Sequence, residues 1–256
     1  EANRLAEFHS ENQDFNVYVT SPQKIYNEFS SGSQDITAIR DFAKMLYDRS
    51  DAGKELKYLL LFGDASYDYK DKLADNSNFV PCWEHTKSLN IISSIASDDY
   101  FGYLDDGEGG ITGSNRVDIG IGRFVVQTIE EATASVNKSI NYCTNSSANM
   151  GPWRNQITFL ADDEDSNHHM HDAETLAGYL DENYPEYLID KIYVDAYPQV
   201  STPSGQRAPE VNSAINSKIE KGTLIFNYSG HGGELGLGHE RFLEIPDINS
   251  WNNTDK

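Results

Sequence analysis

Cysteine is scarce: Cys82 and Cys143 are the only two in 256 residues, and they lie far apart. That spacing excludes a disulfide-stapled scaffold, a thiolate metal knuckle and a paired redox motif. Positive charge is scarce as well. Lys and Arg number 20 against 41 Asp and Glu, a formal net charge of -21, so phosphate backbones and anionic membrane surfaces repel the chain and nucleic acid is excluded as a partner. No apolar run reaches the roughly 20 residues of a transmembrane helix, and no basic-then-apolar leader follows Glu1. What is present suffices for a core, with 38% hydrophobic and 11% aromatic residues filling one large domain or two smaller ones. The carboxylate excess suits a solvated extracytoplasmic surface.

Short apolar runs bounded by turn residues alternate with longer amphipathic stretches, the rhythm of buried parallel strands joined by helices. The fold class expected is α/β. Strands are predicted at 17–20, 58–62, 117–121, 157–161, 189–194 and 223–228. A helix over 35–47 places Ile36, Ile39, Phe42, Ala43 and Leu46 on one face, and a helix over 128–142 does the same with Ile129, Ala132, Val136 and Ile140. Thr128 and Glu131 form a capping-box pattern at the second start. The polar run 144–152 closes on Gly151-Pro152, which divides the chain into an amino-terminal α/β subdomain, 1–150, and a second, 151–256. The stretches 98–113 and 197–209 read as long surface loops, and Asp247, Ile248 and Trp251 as a helix interrupted soon after its start.

The densest chemical signal is Gly222-Thr223-Leu224-Ile225-Phe226-Asn227-Tyr228-Ser229-Gly230-His231-Gly232-Gly233. An apolar strand runs straight into a histidine flanked by glycines, at the carboxyl edge where open parallel sheets build active sites. Three glycines around one histidine exceed the needs of an ordinary turn, and they leave the Gly232 amide free to face a developing oxyanion.

The run from Asn227 to Gly232 resembles the catalytic-histidine motif of the gingipain family, caspase-like cysteine peptidases. Further segments are similar to one branch of that family, the sortase of the bacterial type IX secretion system. They are Leu61-Phe62-Gly63-Asp64-Ala65-Ser66-Tyr67-Asp68-Tyr69, Ser97-Asp98-Asp99-Tyr100-Phe101-Gly102, Val117-Asp118-Ile119-Gly120-Ile121-Gly122-Arg123, Leu160-Ala161-Asp162-Asp163-Glu164-Asp165, Asp195-Ala196-Tyr197 and Gly205-Gln206-Arg207. The likeness spans 29–251.

The resemblance implies two side-by-side subdomains with mostly parallel sheets flanked by helices, the second caspase-like. It implies a catalytic His231, an oxyanion donor at Gly232, and Glu164 as the carboxylate that orients the imidazole. The nucleophilic cysteine of the family follows the histidine on the next strand, and the expectation is that these 256 residues stop short of it and are inactive alone. The implied substrates are exported proteins whose carboxyl-terminal secretion signals are removed through a thiol acyl-enzyme. The implied partners are other secretion-system components, and the implied location is the bacterial outer membrane, cell surface or periplasm. The alternative is a non-catalytic caspase-like binding module of a secretion or surface complex. In arginine-specific members an acidic residue meets the substrate cation; the corresponding stretch here is His168-His169-Met170-His171-Asp172, which argues against that specificity.

Two further clusters come from residue type. His168, His169, His171 and Asp172 invite a zinc reading, but His169 and His171 diverge on a helix and a polar helix start is preferred. Asp98, Asp99, Asp105, Asp106 and Glu108 form an oxygen-rich loop suited to structural calcium, although not with EF-hand spacing. No cofactor is required for the expected chemistry.

Overall fold

A computed structural model of the chain describes residues 1–253, except 88, 91–93, 111–113, 145–148 and 234. Parts of the predicted 98–113 loop and of the 144–152 linker therefore lie outside the described residues. Backbone contacts divide the chain into two compact units, Glu1–Ile140 and Asn141–Lys256. The division falls inside a helix ahead of the Gly151-Pro152 breaker. Arg154 lies over the Tyr142 ring at 4.3 Å, and its Nε donates to the Asn149 carbonyl at 2.9 Å, which ties the end of that helix to the second unit.

The first unit begins with α1 (Ala2–Gln13), α2 (Pro22–Phe29) and α3 (Ile36–Asp48). Asp35 caps α3 by accepting from the Thr37 amide at 2.8 Å, so that helix starts where the pattern places it. Strand β1 (Tyr58–Phe62) pairs in parallel with β4 (Gly120–Phe124), and between them β2 (Trp83–Glu84) and β3 (Ala96–Ser97) form a short antiparallel ribbon. Ile25, Ile39, Leu61, Val80 and Phe101 make the core. In α4 (Ile129–Cys143) the capping box forms as read, with the Glu131 amide on Thr128 Oγ1 at 3.2 Å and the Thr128 amide on Glu131 Oε2 at 3.3 Å.

Two expectations fail here. Residues 17–20 are not a strand: Tyr18 is 71% exposed, and among the described residues no strand pairs with them. The strand predicted at 117–121 begins at Gly120, because the Asp118 amide and carboxylate are spent on the preceding loop, at Gly102 O and the Leu104 amide.

The second unit is built on a three-stranded parallel sheet in the order β6-β5-β9, from β5 (Gln156–Ala161), β6 (Leu188–Tyr193) and β9 (Ile225–Ser229). Strand β5 is central and buried on both faces, as its mostly apolar run requires, and its one buried polar side chain, Thr158, meets Thr223 Oγ1 at 3.0 Å. Its alternation sorts the helices. Ile157, Phe159 and Ala161 pack with Ala173 and Ala177 of α5 (Glu164–Asn183), while Leu160 packs with Val211 and Ile215 of α6 (Pro209–Lys221). Two hairpins, β7 (Val200–Thr202) with β8 (Gly205–Arg207) and β10 (Gly232–Gly233) with β11 (Gly236–Leu237), decorate the strand ends. The last helix, α7 (Ile245–Ser250), is not interrupted as expected: Trp251 leaves it in extended backbone and donates from Nε1 to Asn216 Oδ1 at 2.6 Å. Mixed α/β with mostly parallel sheets is the architecture expected of a caspase-like peptidase. Among the described residues no helix is long and apolar enough to cross a membrane.

Candidate active site

The site lies wholly in the second unit, at the carboxyl edge of its sheet. Parallel pairing sets Ala161 opposite Ser229, and the Asp162 amide donates to the Ser229 carbonyl at 3.1 Å. The residue just past β5 is thereby brought under the residue just past β9. Asp162 is fully buried, and its Oδ2 accepts from both the His231 amide, at 3.0 Å, and His231 Nδ1, at 2.9 Å. A carboxylate only accepts, so Nδ1 carries the proton against Asp162, and Nε2, on the far side of the ring, lies 3.3 Å from Asp165 Oδ2.

His231 is held by its backbone as well. Its carbonyl accepts from the Tyr228 hydroxyl at 2.6 Å and from the Gly238 amide at 2.9 Å. Gly230 is required by close approach, since a Cβ there would collide with the Tyr228 hydroxyl and with Asp162 Cβ. Burial raises the Tyr228 phenol well above its ordinary range, so it stays a donor. Gly232, the expected oxyanion donor, sits in the β10–β11 hairpin opposite Leu237, one residue from the imidazole.

Burial alone would raise the Asp162 carboxyl. The bonds from the His231 amide, its imidazole and the Asp163 amide outweigh that and hold it below the usual carboxylate range. Beside it the balance reverses. Asp163 and Glu240 are pushed up by burial, and Asp163 Oδ1 and Glu240 Oε2 are buried without a hydrogen-bond partner. Asp162, Asp163 and Glu240 thus form a carboxylate cluster below the histidine, one member anchored and two poorly satisfied.

Glu164, expected to orient His231, is placed elsewhere: its Oε1 lies 3.1 Å from His239 Nδ1, and that bond raises the His239 pKa. Asp162 takes the orienting position because strand register carries it there, whereas Glu164 already belongs to α5. The first turn of α5 is irregular, with Asp165, Ser166 and Asn167 in the left-handed region at φ 53°, 58° and 63°. This turn brings Asp165 Oδ2 to 3.3 Å from His231 Nε2. His239 stacks on the His231 ring at 5.3 Å, and His169 meets it edge-on at 4.9 Å. Sequence reading singled out neither Asp162 nor His239. The available signal for Asp162 was its position as the first residue after a mostly apolar strand.

The remaining predicted residues are dispersed. His168 is exposed and faces Asp172 at 3.8 Å, with no shared histidine site. Both Asp98 oxygens bind Arg123 at 2.7 Å, Asp106 lies 3.1 Å from Lys44 Nζ, and Glu108 Oε1 accepts from the Arg116 amide at 2.9 Å. The Asp99 amide donates to Ser97 Oγ and the Asp105 carbonyl accepts from the Glu108 amide. Among the described residues, none of these five carboxylates belongs to a cluster with metal-ligand spacing. Neither cysteine is among the partners recorded for His231, and burial pushes the Cys82 thiol up, away from thiolate character.

A strand-end histidine fixed by a buried carboxylate, on a parallel sheet packed by helices, is consistent with a caspase-like peptidase fold. The family model for peptidase family C25 matches residues 1–256, and the chain belongs to that family, the gingipain family of cysteine peptidases. No curated protein and no solved structure matches it.

Proposed function

We propose that His231 is the general base and acid of a thiol peptidase whose substrates are exported proteins carrying a carboxyl-terminal secretion signal. The observation that carries this reading is the Asp162–His231 pair, which fixes the ring through Nδ1 and leaves Nε2 as the nitrogen that meets the nucleophile. The nucleophile is the cysteine that, by the gingipain resemblance, lies on the strand after the histidine. Its thiol proton passes to Nε2 and the thiolate adds to the peptide carbonyl. His231 returns the proton to the leaving amine, and water or an acceptor amine then releases the acyl group. Asp162 keeps the ring oriented and faces its charge while Nε2 is protonated. The secretion-signal substrate, a secretion-system partnership and a cell-surface or periplasmic setting rest on the sortase-like segments quoted above.

The specificity reading has support of its own. A cavity of about 470 Å³ beside the sheet edge is lined by Ser166, Asn167, Met170, His171, Glu174 and Tyr193. Its one carboxylate, Glu174, is occupied by Lys191 at 2.7 Å and by the Tyr193 hydroxyl at 2.8 Å. A guanidinium entering it would find no free counter-charge, so a small or polar residue before the cut fits better.

The test uses the full-length protein, a thiol-reactive peptidyl probe and a peptide library. His231→Ala should abolish turnover, and Asp162→Asn should lower kcat by about 10²–10⁴-fold. Glu164→Gln should change it far less. Wild-type labelling and turnover in His231→Ala would refute the role given to the histidine, and a full-length protein that takes no label at any cysteine would establish the non-catalytic module instead.

A further inference from the structure

The groups around His231 Nε2 form a second constellation that peptide cleavage does not use. Asp165 Oδ2 stands 3.3 Å from His231 Nε2 and 3.7 Å from His169 Nε2, and the three ligand atoms all lie within 4.8 Å of one another. The longer of the two Asp165 distances is too great for a hydrogen bond. His169 Nε2 is accordingly buried with no hydrogen-bond partner, a cost that native structures rarely leave unexplained.

We infer that Asp165, His169 and His231 bind a divalent transition metal of the zinc type, which caps His231 Nε2 and switches off its proton transfer. Two imidazoles and one carboxylate are a zinc-type donor set, not a calcium one. Ligand atoms about 2.0–2.1 Å from a tetrahedral ion are about 3.3 Å apart. The Asp165–His231 edge already has that length, and the other two must contract. The second shell is in place, because Asp162 accepts from His231 Nδ1 at 2.9 Å, the carboxylate-on-imidazole support that metal-bound histidines require. Three successive left-handed residues hold Asp165 at this point, and strain of that kind persists where the surroundings enforce it. Asp165 is 65% exposed, which leaves an open approach and a fourth position for water.

Metal binding stands apart from the proposed peptidase role; only the switching-off rests on it. The experiment is zinc titration of the 256-residue chain by calorimetry, with imidazole nitrogen shifts read by NMR. One zinc per chain is expected, with the metal shift at Nε2 of His169 and His231. His169→Ala and His169→Gln, checked for intact circular dichroism, should each lose at least tenfold in affinity, while His168→Ala and His171→Ala keep it. Absence of stoichiometric zinc, unchanged affinity in both His169 variants, or loss in the His168 or His171 variants would overturn the site. In full-length enzyme, zinc should inhibit the wild type at concentrations that spare His169→Ala. Zinc that binds as described without inhibiting would leave the site standing, overturn the switch and refute the role proposed for His231.

Discussion

The two units place ionisable groups at equivalent points, the carboxyl edge of a parallel strand, and treat them in opposite ways. In the first, Arg123 on β4 spends all five of its N–H groups: two on Asp98, at 2.7 Å each, two on the carbonyls of Gly63 and Val80, and one on that of Pro81. Nothing is left over for a ligand. In the second, Asp163, His169 and Glu240 each keep a buried polar atom without a partner near His231, against Glu108 Oε2 alone among the described residues of the first. Saturation marks a structural hub, and residual unmet bonding capacity marks a place where something else is to bind or react.

That contrast can be broken by experiment, and the largest effect should come from the saturated side. Arg123→Ala strands a mostly buried Asp98 and three carbonyls, and should cost about 3–5 kcal/mol of local stability. Hydrogen exchange of the β1 and β4 amides measures it, and a loss under about 1 kcal/mol would mean that the hub is not structural. Glu240→Gln should act the other way. Because burial raises the folded-state pKa of Glu240, the folded protein holds its proton above the unfolded value of about 4.3, and stability falls as pH rises through that window. The amide variant should flatten this decline and gain about 1 kcal/mol at neutral pH. An unchanged pH slope in denaturant unfolding would mean that Glu240 is compensated after all. The smallest effect should come from calcium, whose addition or chelation is expected to leave the melting temperature unchanged, since Asp98 and Asp106 are paired with cations and Glu108 is held through Oε1. A raised melting temperature with one bound ion by elemental analysis would restore the 98–108 loop as a metal site.

Much of this was legible in the sequence where pattern and tertiary need agree. Strand β1 and the Thr128–Glu131 box fall where periodicity and capping place them, and the three parallel strands of the second unit lie within a residue or two of their predicted starts. Among the described residues, 17–20 carry strand-like composition but find no ladder; α1 buries only Leu5, and α2, although Ile25 and Tyr26 enter the core, is only eight residues long. The histidine was found because glycines announce it. Its carboxylate was missed because Asp162 is one of four consecutive acidic residues, and only parallel register decides which of them lies beneath the imidazole.

The sheet order β6-β5-β9 also determines when the site comes into being. Asp162 and His231 are 69 residues apart, and β6 lies between β5 and β9 in the chain, so β5 can pair with β6 before β9 is made. Until then the histidine has no anchoring carboxylate and β5 has an open edge. Closing that edge and orienting the imidazole are a single event.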